Sequence, residues 1–414
     1  MGILRGGGAP RLPDPVRTKT ERLRLLLVES GTAVGGTERV VWELATRLPR
    51  DRWDVRLWLS PAPGVDEFAG ALEAQGLPVA RVAEVDSRWD WSGMLKTWRQ
   101  FRRERPDLLH VHHVWPAADR YLATLAEAAG VPHLVVTEHI EGHAHSAAQE
   151  RLKRRELERA EVVTAVSAAV VDSLVRDYGV DRVRVRVVPN GAELPDEGAE
   201  QSAARRVREQ LGAGVLRPLW VCAGRLEHQK GQDVLLEALA EVRRRGLEFV
   251  AALAGEGSLR GALEERARSL GLEANVRFLG QVEDLGPLLA AADAVVLPSR
   301  WEGMPLVLLE ALARARPVVA SAVGGVPEVV TDGEHARLVP PEDPRALAEA
   351  LEDFHRHPDP ALRLGRRAEA RVRESYTWPR VVEAFESVYD EVLGLASFAT
   401  EDARTPQAGR RGAR

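Results

Sequence analysis

Short runs of consecutive apolar residues, each ending in a glycine-rich or polar turn and each followed by helical periodicity, recur along most of this chain. The first, RLRLLLVES from Arg22, leads through the turn SGTAVGG into the amphipathic stretch TERVVWELATRL. Apolar runs of this length suit strands buried on both faces, and their alternation with helical stretches predicts parallel sheets wrapped by helices. WDVRLWLS, LPVARV, DLLHVHH, HLVVTEHIEG and VVTAVSAAVVDSLV continue the series, the last reading as strand, Ser167 and helix. VRVVPNGAEL closes it, which puts a domain boundary near Gly191. The polar stretch EGAEQSAARRVREQLG then reads as a linker before helix formation resumes. A second series opens with LRPLWVCAGRLEHQKG, which predicts a strand over 218–223 and a helix from Gln232. FVAALAGEG, VRFLGQVED and AVVLPS add strands, and helices are expected from Pro344 to about Ser375. The fold class is therefore α/β, with one domain over 21–191, a second over 192–376, and a last helix over 377–394. Residues 1–20 and 395–414 carry little apolar pattern and are expected to be a disordered leader and tail.

Composition agrees with two domains, because 414 residues exceed what a single core usually organises. A formal net charge of −5 and a pI near 6.2 argue against a general nucleic-acid binder. The single cysteine, Cys222, excludes an internal disulfide and lies in the apolar run LWVCAG, where a buried thiol in a reducing compartment is expected. No stretch approaches the roughly 20 apolar residues of a membrane span, and the first twenty residues lack the apolar core of a signal peptide. A cytoplasmic protein is expected. Two basic clusters, KTWRQFRRERP and RLKRRELERA, suit solvated helix faces, an acidic acceptor or the inner face of an anionic membrane.

Candidate chemistry concentrates in residues 297–331, LPSRWEGMPLVLLEALARARPVVASAVGGVPEVVT. On a helix, Glu302 and Glu310 stand about two turns apart on roughly one face. Gly303 and Pro305 suit a tight turn feeding a helix whose first N–H groups can receive an anion. Alone, the two glutamates read rather as a loop end and a solvated helix residue. Gly35 and Gly36 bring backbone close to a ligand and Thr37 is placed to cap the helix, yet the pattern is not the G-x-G-x-x-G of dinucleotide sites. His110, His112 and His113 alternate between sheet faces without a matching cluster, so no metal site is predicted, and His112 is expected to line a cleft from its strand end. Glu138 and His139 occupy another strand end. Arg225 and Lys230 flank the loop GRLEHQK, where a planar fork and a point charge together suit a diphosphate. Lys230 is one of only four lysines. Trp89 and Trp91 are expected to pack rather than to stack on a sugar.

LPSRWEGMPLVLLEALARARPVVAS, together with GRLEHQKG at 224–231, FLGQVED at 278–284 and GGTERVVWELA at 35–45, resembles the retaining nucleotide-sugar glycosyltransferases of family 4 (glycosyl transferases group 1). The likeness runs from about residue 22 to 394. It implies the GT-B architecture, two Rossmann-like domains facing across a cleft, with the last helix crossing back onto the first domain. It further implies a donor site made by Gly35, Gly36, Gly224, Gln281, Val282, Gly303, Met304, Pro305, Leu306, Val307 and Glu310. His139, Arg225, Lys230 and Glu302 are implied as the catalytic set. The partners implied are a nucleoside diphosphate sugar as co-substrate and a glycan, lipid or small-molecule acceptor. No D-x-D pair is present, so the two cations are expected to serve in place of a metal and no cofactor is expected. An epimerase of the same architecture and a noncatalytic nucleotide-sugar-binding protein are the alternative functions.

Overall fold

The computed structural model describes residues 21–395 except 86, 114, 116, 117 and 143–145. The leader and residues 396–414 of the tail lie outside the described residues. Strands β1 (Leu23–Glu29), β2 (Trp53–Leu59), β3 (Val79–Arg81), β4 (Leu108–His113), β5 (Leu134–Glu138), β6 (Val162–Ala165) and β7 (Val185–Val187) form one sheet in the order β3-β2-β1-β4-β5-β6-β7. Strands β8 (Leu219–Ala223), β9 (Val250–Ala254), β10 (Val276–Gly280), β11 (Ala294–Leu297), β12 (Val318–Ser321) and β13 (Arg337–Val339) form a second, ordered β10-β9-β8-β11-β12-β13. Every pairing within them is parallel. Parallel neighbours need long crossovers, which is why apolar runs alternate with helical stretches. In each sheet the order reverses at one place, between β1 and β4 and between β8 and β11. The carboxyl ends flanking such a reversal leave a crevice.

Alternation along β1 sends its side chains into two cores. Leu25 and Leu27 pack with Val40, Val41 and Leu44 of the helix Gly36–Arg47. Leu26 and Val28 join a larger cluster that holds Leu109 and Val111 and continues through Val166, Met304 and Val326 to the second sheet. Apolar packing is thus continuous between the two halves. The helix Trp378–Val392 places Trp378, Val381, Phe385 and Tyr389 in the core with Leu25 and Leu27. Burying each large side chain contributes about 1.5–3 kcal/mol, so this helix is a structural part of the first half although it follows the second in sequence.

The chain crosses between the halves twice, and the crossings touch. Ala192 N–H donates to the Tyr376 carbonyl at 2.8 Å. A Cβ on Gly191 would lie 2.9 Å from the Trp378 backbone nitrogen, so only glycine lets the two segments approach.

Two local expectations are corrected. The stretch read as a linker is the 15-residue helix Glu197–Leu211. Its polar sequence hides a seam in which Val207 and Leu211 pack on the core and Glu200 takes both Nε and Nη2 of Arg314, at 2.9 and 2.7 Å. Thr37 does not cap the first helix: Gly35 holds the cap position, and the Glu38 carboxylate reaches back to its N–H at 2.8 Å.

Candidate functional site

The loops at the carboxyl ends of the two sheets meet around Gly303–Leu306. Gly303 lies directly under β5, where a Cβ would come 1.9 Å from the His139 carbonyl oxygen. Met304 O accepts from Asn190 Nδ2 at 2.7 Å. Leu306 touches Gly36, the nearest approach of a Cβ there being 3.7 Å. Behind them, Gly325 N–H donates to Gly303 O at 2.9 Å, and a Cβ on Gly325 would strike Ser167 Cβ at 2.7 Å. Glu328 reaches across to the N–H groups of Ala168 and Ala169 at 2.8 and 3.0 Å, the open end of the helix Ala168–Tyr178. A carboxylate is well placed there because those donors have no intrahelical partner.

Pro305 caps the helix Leu306–Ala313 from an extended conformation, which leaves Glu302 outside it. This corrects the shared helical face expected for Glu302 and Glu310. Glu302, only 4% exposed, receives Ser299 Oγ at 2.7 Å and Lys230 Nζ at 2.6 Å, both on Oε1. Lys230 ends a short turn whose C-cap Gly231 has φ 63°, and a Cβ on Gly231 would lie 2.1 Å from Pro298 O. The cation loop is therefore pressed onto the strand end before Glu302. Arg225 is exposed, Nη2 lying 3.2 Å from Gln229 Oε1. Gly224, at φ 152°, lies against the Lys230 methylenes, the nearest 3.6 Å from where a Cβ would stand.

Glu310 is half-buried and burial raises its carboxyl above the usual range, against the pull of Arg314 and then Arg39. No donor bonds its carboxylate among the described residues. Gln281 is exposed and Val282 half-buried at the end of β10. The structure thus brings Lys230 onto Glu302, His139 onto Gly303 and Gly36 onto Leu306, with Met304 and Pro305 between Gly303 and Leu306 in the chain. Val307 and Glu310 follow on the same helix, Gly35 precedes Gly36, Gly224 lies against Lys230, and Arg225 acts electrostatically on Glu38 of the first half.

Several readings of the first half change. His112 is not a cleft residue: it is fully buried, and its Nδ1 lies 3.0 Å from His139 Nε2. His110 is fully buried as well, bonded to Tyr389 Oη at 2.7 Å and to Thr137 Oγ1 at 2.6 Å. Burial drives His110 and His139 each down to about 3. Among the described residues no three histidine, cysteine, aspartate or glutamate side chains converge on a metal-sized position.

Lys153 is no surface charge either. It is 3% exposed and lies 2.5 Å from Glu138 and 2.9 Å from Glu156, and Glu156 also meets His113 Nε2 at 3.0 Å. Trp89 and Trp91 are 69% and 70% exposed, where packing was expected.

Sequence reasoning missed a buried carboxyl pair. Glu29 closes β1 and is pushed up to about 9, first by burial and then by the charge of Glu38. Glu29 Oε1 and Glu38 Oε1 both crowd Gly31, whose N–H donates to Glu29 Oε1 at 2.5 Å. It also missed Asn190, Ser299 and Glu328. Asn190 lay in view in the turn V-P-N-G, but nothing in one chain says that an amide bonds a loop more than a hundred residues away.

Two parallel α/β halves, joined by facing loops with a lysine and a helix N-terminus at the junction, define a nucleotide-binding transferase of the GT-B type. Residues 34–194 match the family described as Glycosyltransferase Family 4, and residues 217–357 match Glycosyl transferases group 1. The D-inositol 3-phosphate glycosyltransferase of Streptomyces coelicolor is 34% identical over 450 residues, covering 95% of this chain and 96% of that protein. The GDP-mannose-dependent alpha-(1-6)-phosphatidylinositol monomannoside mannosyltransferase of Mycolicibacterium smegmatis is 33% identical, over 62% of this chain and 70% of its own. Anabaena HepE in complex with UDP-glucose shares the fold, with a TM-score of 0.76 and 22% identity over 89% of this chain and all of that one. The chain belongs to glycosyltransferase family 4, and it is a glycosyltransferase that uses nucleotide sugars.

Proposed function

We propose that this enzyme is a retaining hexosyltransferase that moves a sugar from UDP or GDP to an acceptor hydroxyl in glycan, glycolipid or cell-envelope polysaccharide synthesis. The observation that carries this reading is the convergence of first-half loops on Gly303–Leu306 beside Lys230 and Glu302. Lys230 has three donors and gives one to Glu302, so the others can meet a diphosphate. Charge grows on that diphosphate as the anomeric bond breaks, and fixed cations aimed at it lower the barrier. Arg225 supplies the second cation. Glu302 Oε2 is open to a sugar hydroxyl, and the Glu310 carboxylate to the ribose. The backbone at Gln281 and Val282 meets the base, while Gly35, Gly36 and Gly224 let phosphate approach. His139 lies at the donor sugar. Same-face attack, with donor phosphate taking the acceptor proton, fits a site whose sugar-facing carboxylate, Glu302, is tied through Oε1 to Lys230 and Ser299.

Incubation with UDP-glucose, GDP-mannose and their relatives, with product analysis, tests this reading. Release of nucleoside diphosphate with retained anomeric configuration is expected, in EDTA as well as in magnesium. An epimerised donor identifies an epimerase, and binding without turnover identifies a noncatalytic binder.

No helix among the described residues is long and apolar enough to cross a membrane. Peripheral contact is nevertheless supported on the helix Trp91–Glu104, which exposes Trp91 and Leu95 beside Lys96, Arg99, Arg102 and Arg103, with Trp89 just ahead of it. Exposed indoles among cations suit an anionic interface. Trp89→Ala combined with Trp91→Ala is expected to abolish sedimentation with phosphatidylglycerol vesicles, as is high salt. A wild-type protein that never sediments with them removes the proposal and points to a soluble acceptor.

A further inference from the structure

Two buried histidines, His110 and His112, form an ordered row with the half-buried His139 under the site. His110 lies with its ring centroid 4.0 Å from that of His112, and His112 is 5.3 Å from His139 with the planes 25° apart. Phe385, from the helix Trp378–Val392, closes the other side of the row, 5.3 Å from His110 and 6.2 Å from His112. Both nitrogens of His110 are already committed, to Tyr389 and Thr137, so His110 offers His112 packing and no hydrogen bond. The remaining polar contact in the row is His112 Nδ1 with His139 Nε2, at 3.0 Å.

That contact has two possible directions. If His139 Nε2–H donates, His112 must carry its own proton on Nε2, which is buried with no partner. If His112 Nδ1–H donates, His112 Nε2 is a bare lone pair. A buried donor without an acceptor is rarer and costlier than an under-used acceptor, so the second direction is favoured. Both rings are neutral, because burial lowers the pKa of each and a charge on His112 would face His110 and His113. With Nε2 occupied as acceptor, His139 holds its proton on Nδ1, the nitrogen for which the described residues supply no partner.

We infer that His112 is a positioning residue that fixes His139 in the Nδ1–H tautomer, making it a hydrogen-bond donor to a hydroxyl oxygen of the bound sugar or acceptor. This rests on the placement of His139 at the donor sugar proposed above. It gives His139 one direction of bonding. An oxygen lone pair is received there, and Nδ1 cannot act as a base on the attacking hydroxyl. It also gives the buried row a purpose: Phe385 and the His110 ring hold the His112 plane, and the His112 plane holds His139.

The test is long-range proton–nitrogen correlation NMR on the full chain labelled with 15N-histidine, with His139 assigned from the His139→Asn spectrum. An unprotonated Nε2 and a protonated Nδ1 are expected. A protonated Nε2 overturns the inference whatever the variants do. Kinetics with UDP-glucose or GDP-mannose, whichever turns over faster, then test the consequence. His112→Asn keeps an N–H close to the Nδ1 position, whereas His112→Phe keeps bulk without a donor. Turnover is expected to fall about tenfold or more in His112→Phe, with donor KM moving less, and to recover largely in His112→Asn. Equal losses in both variants, or none in either, overturn the positioning role. Full turnover in His139→Ala would instead refute the placement of His139 at the sugar, leaving the tautomer result standing.

Discussion

Replacing Lys230 with alanine is expected to lower turnover by about a hundredfold while donor affinity weakens much less. The loss of one electrostatic donor that strengthens during reaction costs about 3 kcal/mol. Loop position alone would suggest that folding is unaffected, but Lys230 Nζ sits 2.6 Å from Glu302, which is 4% exposed. Removing the ammonium leaves a buried carboxylate whose one remaining side-chain donor among the described residues is Ser299, so Lys230→Ala is expected to melt earlier too. The double variant Lys230→Ala, Glu302→Gln separates the two effects: stability returns and turnover does not. Single-turnover rates, donor affinity and melting temperature are measured side by side. Full turnover in Lys230→Ala, or wild-type activity lost in EDTA, rules out a metal-free role for this cation.

The second large effect is on stability. Lys153→Ala is expected to cost about 3–5 kcal/mol, the usual penalty for breaking one side of a buried ion network. Lys153 neutralises Glu138 and Glu156 together. Without it, among the described residues, His113 is left as the one cation bonded to Glu156 and Glu138 has none bonded to it. Arg155→Ala, two positions away and exposed, is the control and is expected within about 0.5 kcal/mol of wild type. Urea denaturation measures both. Coincident curves for Lys153→Ala and wild type would show that the network contributes nothing.

These residues also mark where the sequence stops being readable. Buried parallel strands announce themselves as apolar runs, so both sheets, their order of appearance and the carboxyl-end loops were legible from periodicity, and four motifs matched in order led to the family. Which side of a helix faces inward was not legible for polar helices. RLKRRELERA looked like a solvated basic face because its one inward lysine is matched by carboxylates on β5 and a turn further along its own helix. The helix Glu197–Leu211 looked like a linker because its anchors are an ion pair and two modest apolar side chains. His112 looked like a cleft residue because a strand end was taken as the edge of the core, whereas the helix that buries it arrives from the other end of the chain. Helical arithmetic misplaced Glu302 because Pro305 starts the helix four residues too late to include it.

The two chain crossings have a consequence for anyone who would take this enzyme apart. The first half is not a contiguous piece of sequence: cutting near Gly191 would strip it of Trp378, Phe385 and Tyr389, and with them the floor beneath His110 and His112. A chimera that borrows its donor half from a relative must therefore splice twice, once between Asn190 and Glu197 and once beside Thr377, keeping the final helix with the half it completes. Because Ala192 and Tyr376 are bonded to each other, the two splice points form one paired strap, and a graft that alters the length of either strand of it shifts that pairing out of register.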